Sequence, residues 1–87
     1  MDIRKTKIPK AVAVEPLNNL ILRVVFEDGT IKLHDAKPYL EKFEVFNQLL
    51  DEDLFKSVYA NGYAVAWNDE IDLSILDVLE TGISVPT

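Results

Sequence analysis

Leu20-Ile-Leu-Arg-Val-Val-Phe26-Glu-Asp-Gly29-Thr-Ile-Lys-Leu-His34 is the stretch on which the fold turns. Its first seven residues are nearly continuous in apolar content, the pattern of a central strand covered on both faces. Glu27-Asp28-Gly29 suits a tight hairpin, because Gly29 accepts a positive φ without a Cβ clash. Residues 31–34 then return as the next strand. Upstream, Ala11-Val-Ala-Val-Glu15 has strand character and Pro16-Leu-Asn-Asn19 carries turn chemistry. The expected nucleus is a three-strand antiparallel meander.

Downstream the period changes. Asp35 stands three residues before Pro38, so a helical turn is expected over residues 36–39. Between Tyr39 and Val58 the apolar residues recur at spacings of three and four, which predicts one or two short helices. Asp51 is the expected N-cap of the second, followed by Glu52 and Asp53, with Leu54, Phe55 and Val58 as its buried face. Asn61-Gly62 predicts a second hairpin, joining residues 58–60 to Tyr63-Ala-Val-Ala-Trp67. After a polar corner at residues 68–71, Asp72 is expected to cap a last helix over residues 73–80. Leu73, Ile75, Leu76 and Leu79 would form its apolar stripe. Gly82 would stop that helix, and Pro86 would leave the chain extended. The expected class is α+β: a small antiparallel sheet, made of a three-strand meander plus a second hairpin, packed with two or three short helices.

Size and charge bound the function. The 87 residues form one expected domain, near the lower limit for folding without a metal or disulfide. Cysteine is absent, which removes disulfides and thiolate metal sites. No apolar run approaches the roughly 20 residues of a membrane span, and the start lacks a signal-peptide core, so a cytoplasmic location is expected. Arg4, Lys5, Lys7 and Lys10 make residues 1–10 a basic segment, expected to be a solvated, mobile edge. The remaining residues hold five basic and fourteen acidic side chains. That acidic body repels a phosphate backbone and argues against nucleic acid as a partner of this domain.

Catalytic chemistry finds few candidates. His34, the single histidine, precedes Asp35, but adjacent strand residues face opposite ways and no nucleophile accompanies them. It reads as a surface histidine at a strand end. Ser57, Ser74 and Ser84 lie outside any nucleophile-elbow context. Asn68, Asp69, Glu70 and Asp72 resemble a calcium loop in composition only, without its glycine and its twelfth-position glutamate. Asp51, Glu52 and Asp53 are explained by a helix start. Gly29, Gly62 and Gly82 are isolated and form no phosphate cradle. Phe26, Tyr63 and Trp67 read as core aromatics. No enzyme activity is expected, and no catalytic, cofactor or metal residue is assigned.

The order of residues resembles a known family. Phe26-Glu-Asp-Gly29, then Leu33 and Asp35, residues 46–50 from Phe46 to Leu50, Leu54-Phe55 and Val58 match its pattern, and Trp67-Asn-Asp-Glu-Ile-Asp-Leu73 completes it. The chain resembles domain of unknown function 2442, a family of small, mainly bacterial proteins. Its motifs are a strand ending in F-x-x-G, a helix near L-x-x-x-x-F-x-x-V, and W-x-x-x-x-D-L before a final helix. The likeness covers about residues 9–80. It implies a small sheet with short helices and no known activity. Relatives with an added helix-turn-helix domain suggest regulation, and others sit beside a second small protein in arrangements reminiscent of toxin–antitoxin pairs.

These lines lead to a small protein-interaction module, the acidic partner in a two-component bacterial regulatory or antitoxin-like pair. The partner is then another small protein, or the chain itself. The alternatives are a self-associating structural domain and a cation-dependent enzyme built on the corner from Asn68 to Asp72.

Overall fold

A computed structural model describes residues 8–85. Four strands form the larger sheet in the order β1-β2-β3-β7: β1 (Ala11–Leu17), β2 (Ile21–Phe26), β3 (Ile31–Asp35) and β7 (Ile83–Ser84). A second antiparallel sheet holds β4 (Tyr59–Ala60), β5 (Ala64–Ala66) and β6 (Asp72–Ser74). Helices α1 (Lys37–Lys42) and α2 (Glu52–Lys56) flank a 3₁₀ segment, Glu44–Leu50, and α3 (Ile75–Thr81) precedes β7. The α+β class and the meander are therefore present, as is the second hairpin.

The turns form where local chemistry predicts. Gly29 has φ +92°, and the Asp28 carboxylate accepts from the Thr30 N–H at 2.9 Å. At the second hairpin Gly62 has φ +94°, while Asn61 Oδ1 accepts from the N–H groups of Tyr63 and Ala64. Asp51 caps α2 by accepting from Asp53 and Leu54. Phe55 is buried below that cap, with Leu54 and Val58 packed partly against the core.

Other expectations are corrected by packing. Strand β1 runs through Pro16 to Leu17 instead of turning at Pro16. It is an edge strand, where a missing N–H costs no ladder bond on its outer side. The turn falls at Asn18–Leu20, and β2 begins at Ile21. Strand β2 is central, but only Leu22, Val24 and Phe26 are buried; Ile21, Arg23 and Val25 on the opposite face are half-buried. Among the described residues one core cluster forms, and it takes the other face of the strand.

The last helix starts later than expected. Asp72 and Leu73 lie in β6, where Leu73 pairs with Val65 and both are buried. Ser74 is the N-cap, its hydroxyl accepting from the Leu76 N–H at 3.1 Å. The buried stripe of α3 is Ile75 and Val78, and Leu76 is exposed. Gly82 ends the helix in extended backbone, φ −72°, so no left-handed turn is needed there. A Cβ at that position would stand 2.5 Å from the Val78 carbonyl oxygen and 3.1 Å from Lys32 Cβ. The glycine lets β7 approach β3. The extension expected at Pro86, and any mobility of residues 1–7, lie outside the described residues.

One aromatic line runs through the core from α1 across the 3₁₀ segment to Trp67 and α2. Tyr39 stacks on Phe46 with centroids 5.3 Å apart, Phe46 meets Trp67 edge-on at 6.4 Å, and Trp67 stacks on Phe55 at 6.2 Å. The Trp67 indole N–H donates to the Phe55 carbonyl at 3.0 Å, so the buried ring has no unpaired polar atom. Phe26 is buried as expected. Tyr63 is not core: it is exposed, with the Lys10 ammonium 5.2 Å from its ring centroid.

Candidate functional site

The turn between β1 and β2 holds two consecutive non-glycine residues in left-handed conformation, Asn19 at φ 62° and Leu20 at φ 59°. A leucine there costs about 1–2 kcal/mol. Contacts from the start of α1 and the residue before it hold it: Lys37 Nζ donates to the Asn19 carbonyl at 2.6 Å, and the Ala36 N–H donates to the Leu20 carbonyl at 2.9 Å. Leu20 also packs against the core.

This turn forms one wall of a groove of about 320 Å³. Leu17, Leu49 and Phe55 give it an apolar lining, with Asn18 and Asn19 on one side and Glu52 and Lys56 on the other. Leu49 and Phe55 are buried, whereas Leu50 at the mouth is 68% exposed. Glu52 and Lys56 pair at 2.8 Å across one helical turn, and Asp51, Glu52 and Asp53 are all exposed. The groove thus has apolar walls and a Glu52–Lys56 ion pair on its α2 side, with the exposed Asp51 and Asp53 carboxylates adjoining it in the chain. Sequence could not locate it, because its walls come from residues 16–20 and 49–56, which are far apart in the chain.

His34 contradicts the expected surface position: it is 2% exposed. Its Nε2 lies 3.1 Å from the Tyr39 hydroxyl and its Nδ1 3.4 Å from Thr81 Oγ1. The ring therefore joins β3 to α1 and α3. Burial pushes its pKa below 6.5, against the opposing pull of the Asp77 and Asp35 carboxylates. Burial also raises the Tyr39 pKa, and the Asp77 carboxylate adds to that rise. For Asp35, burial acts upward, but hydrogen bonds from the Lys37 backbone and side chain outweigh it and hold the carboxyl below its usual range. A smaller groove, about 270 Å³, opens beside these residues and is lined also by Pro38 and Lys42.

Several of the remaining sequence candidates have local structural roles. At the 68–72 corner Asn68 Oδ1 accepts from the Glu70 and Ile71 N–H groups, both at 2.9 Å, and Asp72 lies in β6. Among the described residues no three His, Asp or Glu side chains gather as a metal site requires. Ser57 donates to the Leu54 carbonyl, Ser74 caps α3, and Ser84 accepts from Lys32. Arg4, Lys5 and Lys7 lie outside the described residues, and Lys10 rests over Tyr63. Among the described residues no helix is long and apolar enough to cross a membrane.

Two small antiparallel sheets, three short helices and a shared core define a compact α+β protein built around a hairpin meander. The chain belongs to the family described as Protein of unknown function (DUF2442), whose model matches residues 11–84. No curated protein and no solved structure matches it.

Proposed function

We propose that this chain is a protein-binding module, the acidic member of a two-protein regulatory or antitoxin-like pair. The observation that carries this reading is the groove between the β1–β2 turn and α2, with its apolar lining and exposed Leu50. A concave apolar surface with a polar rim suits an anchoring side chain from another protein. The acidic run at residues 51–53 and the net charge of −6 favour basic residues around that anchor. The groove performs no chemistry in this reading; it seats a partner on a small scaffold.

Co-expression with the product of the neighbouring gene tests the proposal. The two proteins should elute together from a sizing column at micromolar concentration, and Leu50→Asp should separate them. Because Leu50 is exposed, that variant should keep the wild-type circular dichroism spectrum and melting temperature. Independent elution of the wild-type proteins would count against the proposal. A concentration-dependent mass for the chain alone, read by light scattering, would favour self-association instead.

A further inference from the structure

His34 is the buried polar side chain that the binding groove leaves unused. Its proton positions follow from its neighbours. Thr81 Oγ1 lies 2.7 Å from the Asp77 carbonyl, and a carbonyl oxygen can only accept, so the threonine hydrogen is committed there. Thr81 Oγ1 then offers His34 Nδ1 a lone pair at 3.4 Å, which favours the tautomer with hydrogen on Nδ1. A neutral imidazole has one N–H, which leaves Nε2 bare to accept from the Tyr39 hydroxyl at 3.1 Å. The chain of donation runs Tyr39 to His34 to Thr81 to the α3 backbone.

We propose that His34 is a pH-operated switch for the Tyr39 hydroxyl. A proton taken from solvent at Nε2 turns that nitrogen into a donor. Two hydrogens cannot share the 3.1 Å line between Nε2 and the phenol oxygen, so Tyr39 keeps its hydrogen and rotates it away. Tyr39 lines the smaller groove with Asp35, Pro38, Lys42 and Thr81, and its O–H then turns to that side, where the Thr81 hydroxyl oxygen is also within reach. No heavy-atom bond forms or breaks. The charged groups around the ring come from each element packed on it. Asp35 lies on β3, where it pairs with Lys37 of α1 at 3.1 Å. Lys42 belongs to α1 and Asp77 to α3. Burial opposes the imidazolium, Asp77 and Asp35 favour it, and Thr81 accepts from Nδ1 in both states. The same groove thus presents a hydroxyl donor in acid and none at neutral pH.

The chain has a single histidine, so long-range proton–nitrogen NMR reads this ring without ambiguity. At neutral pH the spectrum should show hydrogen on Nδ1 and a bare Nε2. The Tyr39 ring-carbon shift, identified by its loss in Tyr39→Phe, should move with the His34 midpoint. Thr81→Val removes the acceptor and should raise the Nε2–H tautomer, while Thr81→Ser should restore the wild-type tautomer. An unchanged Trp67 indole resonance reports that each variant is folded. A neutral ring with hydrogen mainly on Nε2, or a Tyr39 signal that ignores the His34 titration, would overturn the proposal.

Discussion

At the scale of single residues, burial decides roles that composition leaves open. His34 looks like a strand-end surface group because Asp35 follows it, yet α1 and α3 close over it and supply hydroxyl partners. Its folded pKa is depressed, so the unfolded chain takes up the proton first. The stability carried by the neutral ring is complete above pH 6.5 and is lost as the pH falls from there through the lower folded value. Urea midpoints at about pH 7.5 and about pH 5.5 should drop more in the wild type than in His34→Gln; equal slopes would show that the ring is not buried neutral. Gly82 offers a second contrast. Gly82→Ala drives a methyl into the Val78 carbonyl and Lys32, costing about 1–3 kcal/mol, and should speed amide exchange at Val85, which donates to the Ile31 carbonyl at 3.0 Å. Gly29→Ala meets no atom within 4 Å and pays only for its positive φ, leaving Val85 exchange unchanged. Similar exchange at Val85 in both variants would contradict the close β3–β7 approach.

At the scale of elements, turns and caps with short-range signals were legible, and elements chosen by distant partners were not. Glu27-Asp28-Gly29, Asn61-Gly62 and Asp51 carry their reasons within a few residues, and each forms as read. The start of α3 falls later than Asp72 suggests because Asp72 and Ser74 are both good caps; pairing of Leu73 with Val65 of β5 extends residues 72–74 and leaves Ser74 the task. Ser74→Ala should therefore destabilise the protein by about 1 kcal/mol in urea unfolding. Asp72→Ala, at an exposed strand position, should stay within about 0.5 kcal/mol of wild type. The opposite ranking would return the cap to Asp72. Strand β7 had no legible signal either, since two residues, Ile83 and Ser84, carry no periodicity and are extended by Leu33 and Lys32 across the sheet.

At the scale of the whole molecule, an acidic surface surrounds one shared core and an open apolar groove. A complex that joins this surface to a basic partner should weaken when salt rises from about 0.05 to about 0.5 M, because screening shortens the reach of exposed charges. A dissociation constant indifferent to salt would leave only the apolar anchor at Leu50 to hold the complex. The outer edge of β1 argues against a simple strand-to-strand dimer there, since Pro16 offers no N–H to an incoming chain. Sequence alone determined the hairpins, the meander, the α2 cap, the Trp67 core position and the charge of the body, because each depends on local backbone preference, hydrophobicity or composition. Tertiary structure alone decided the burial of His34, the strained Asn19–Leu20 turn, the β6 pairing and the groove beside Leu50. Those features join residues far apart in the chain, and their free energy comes from contacts that no local window contains.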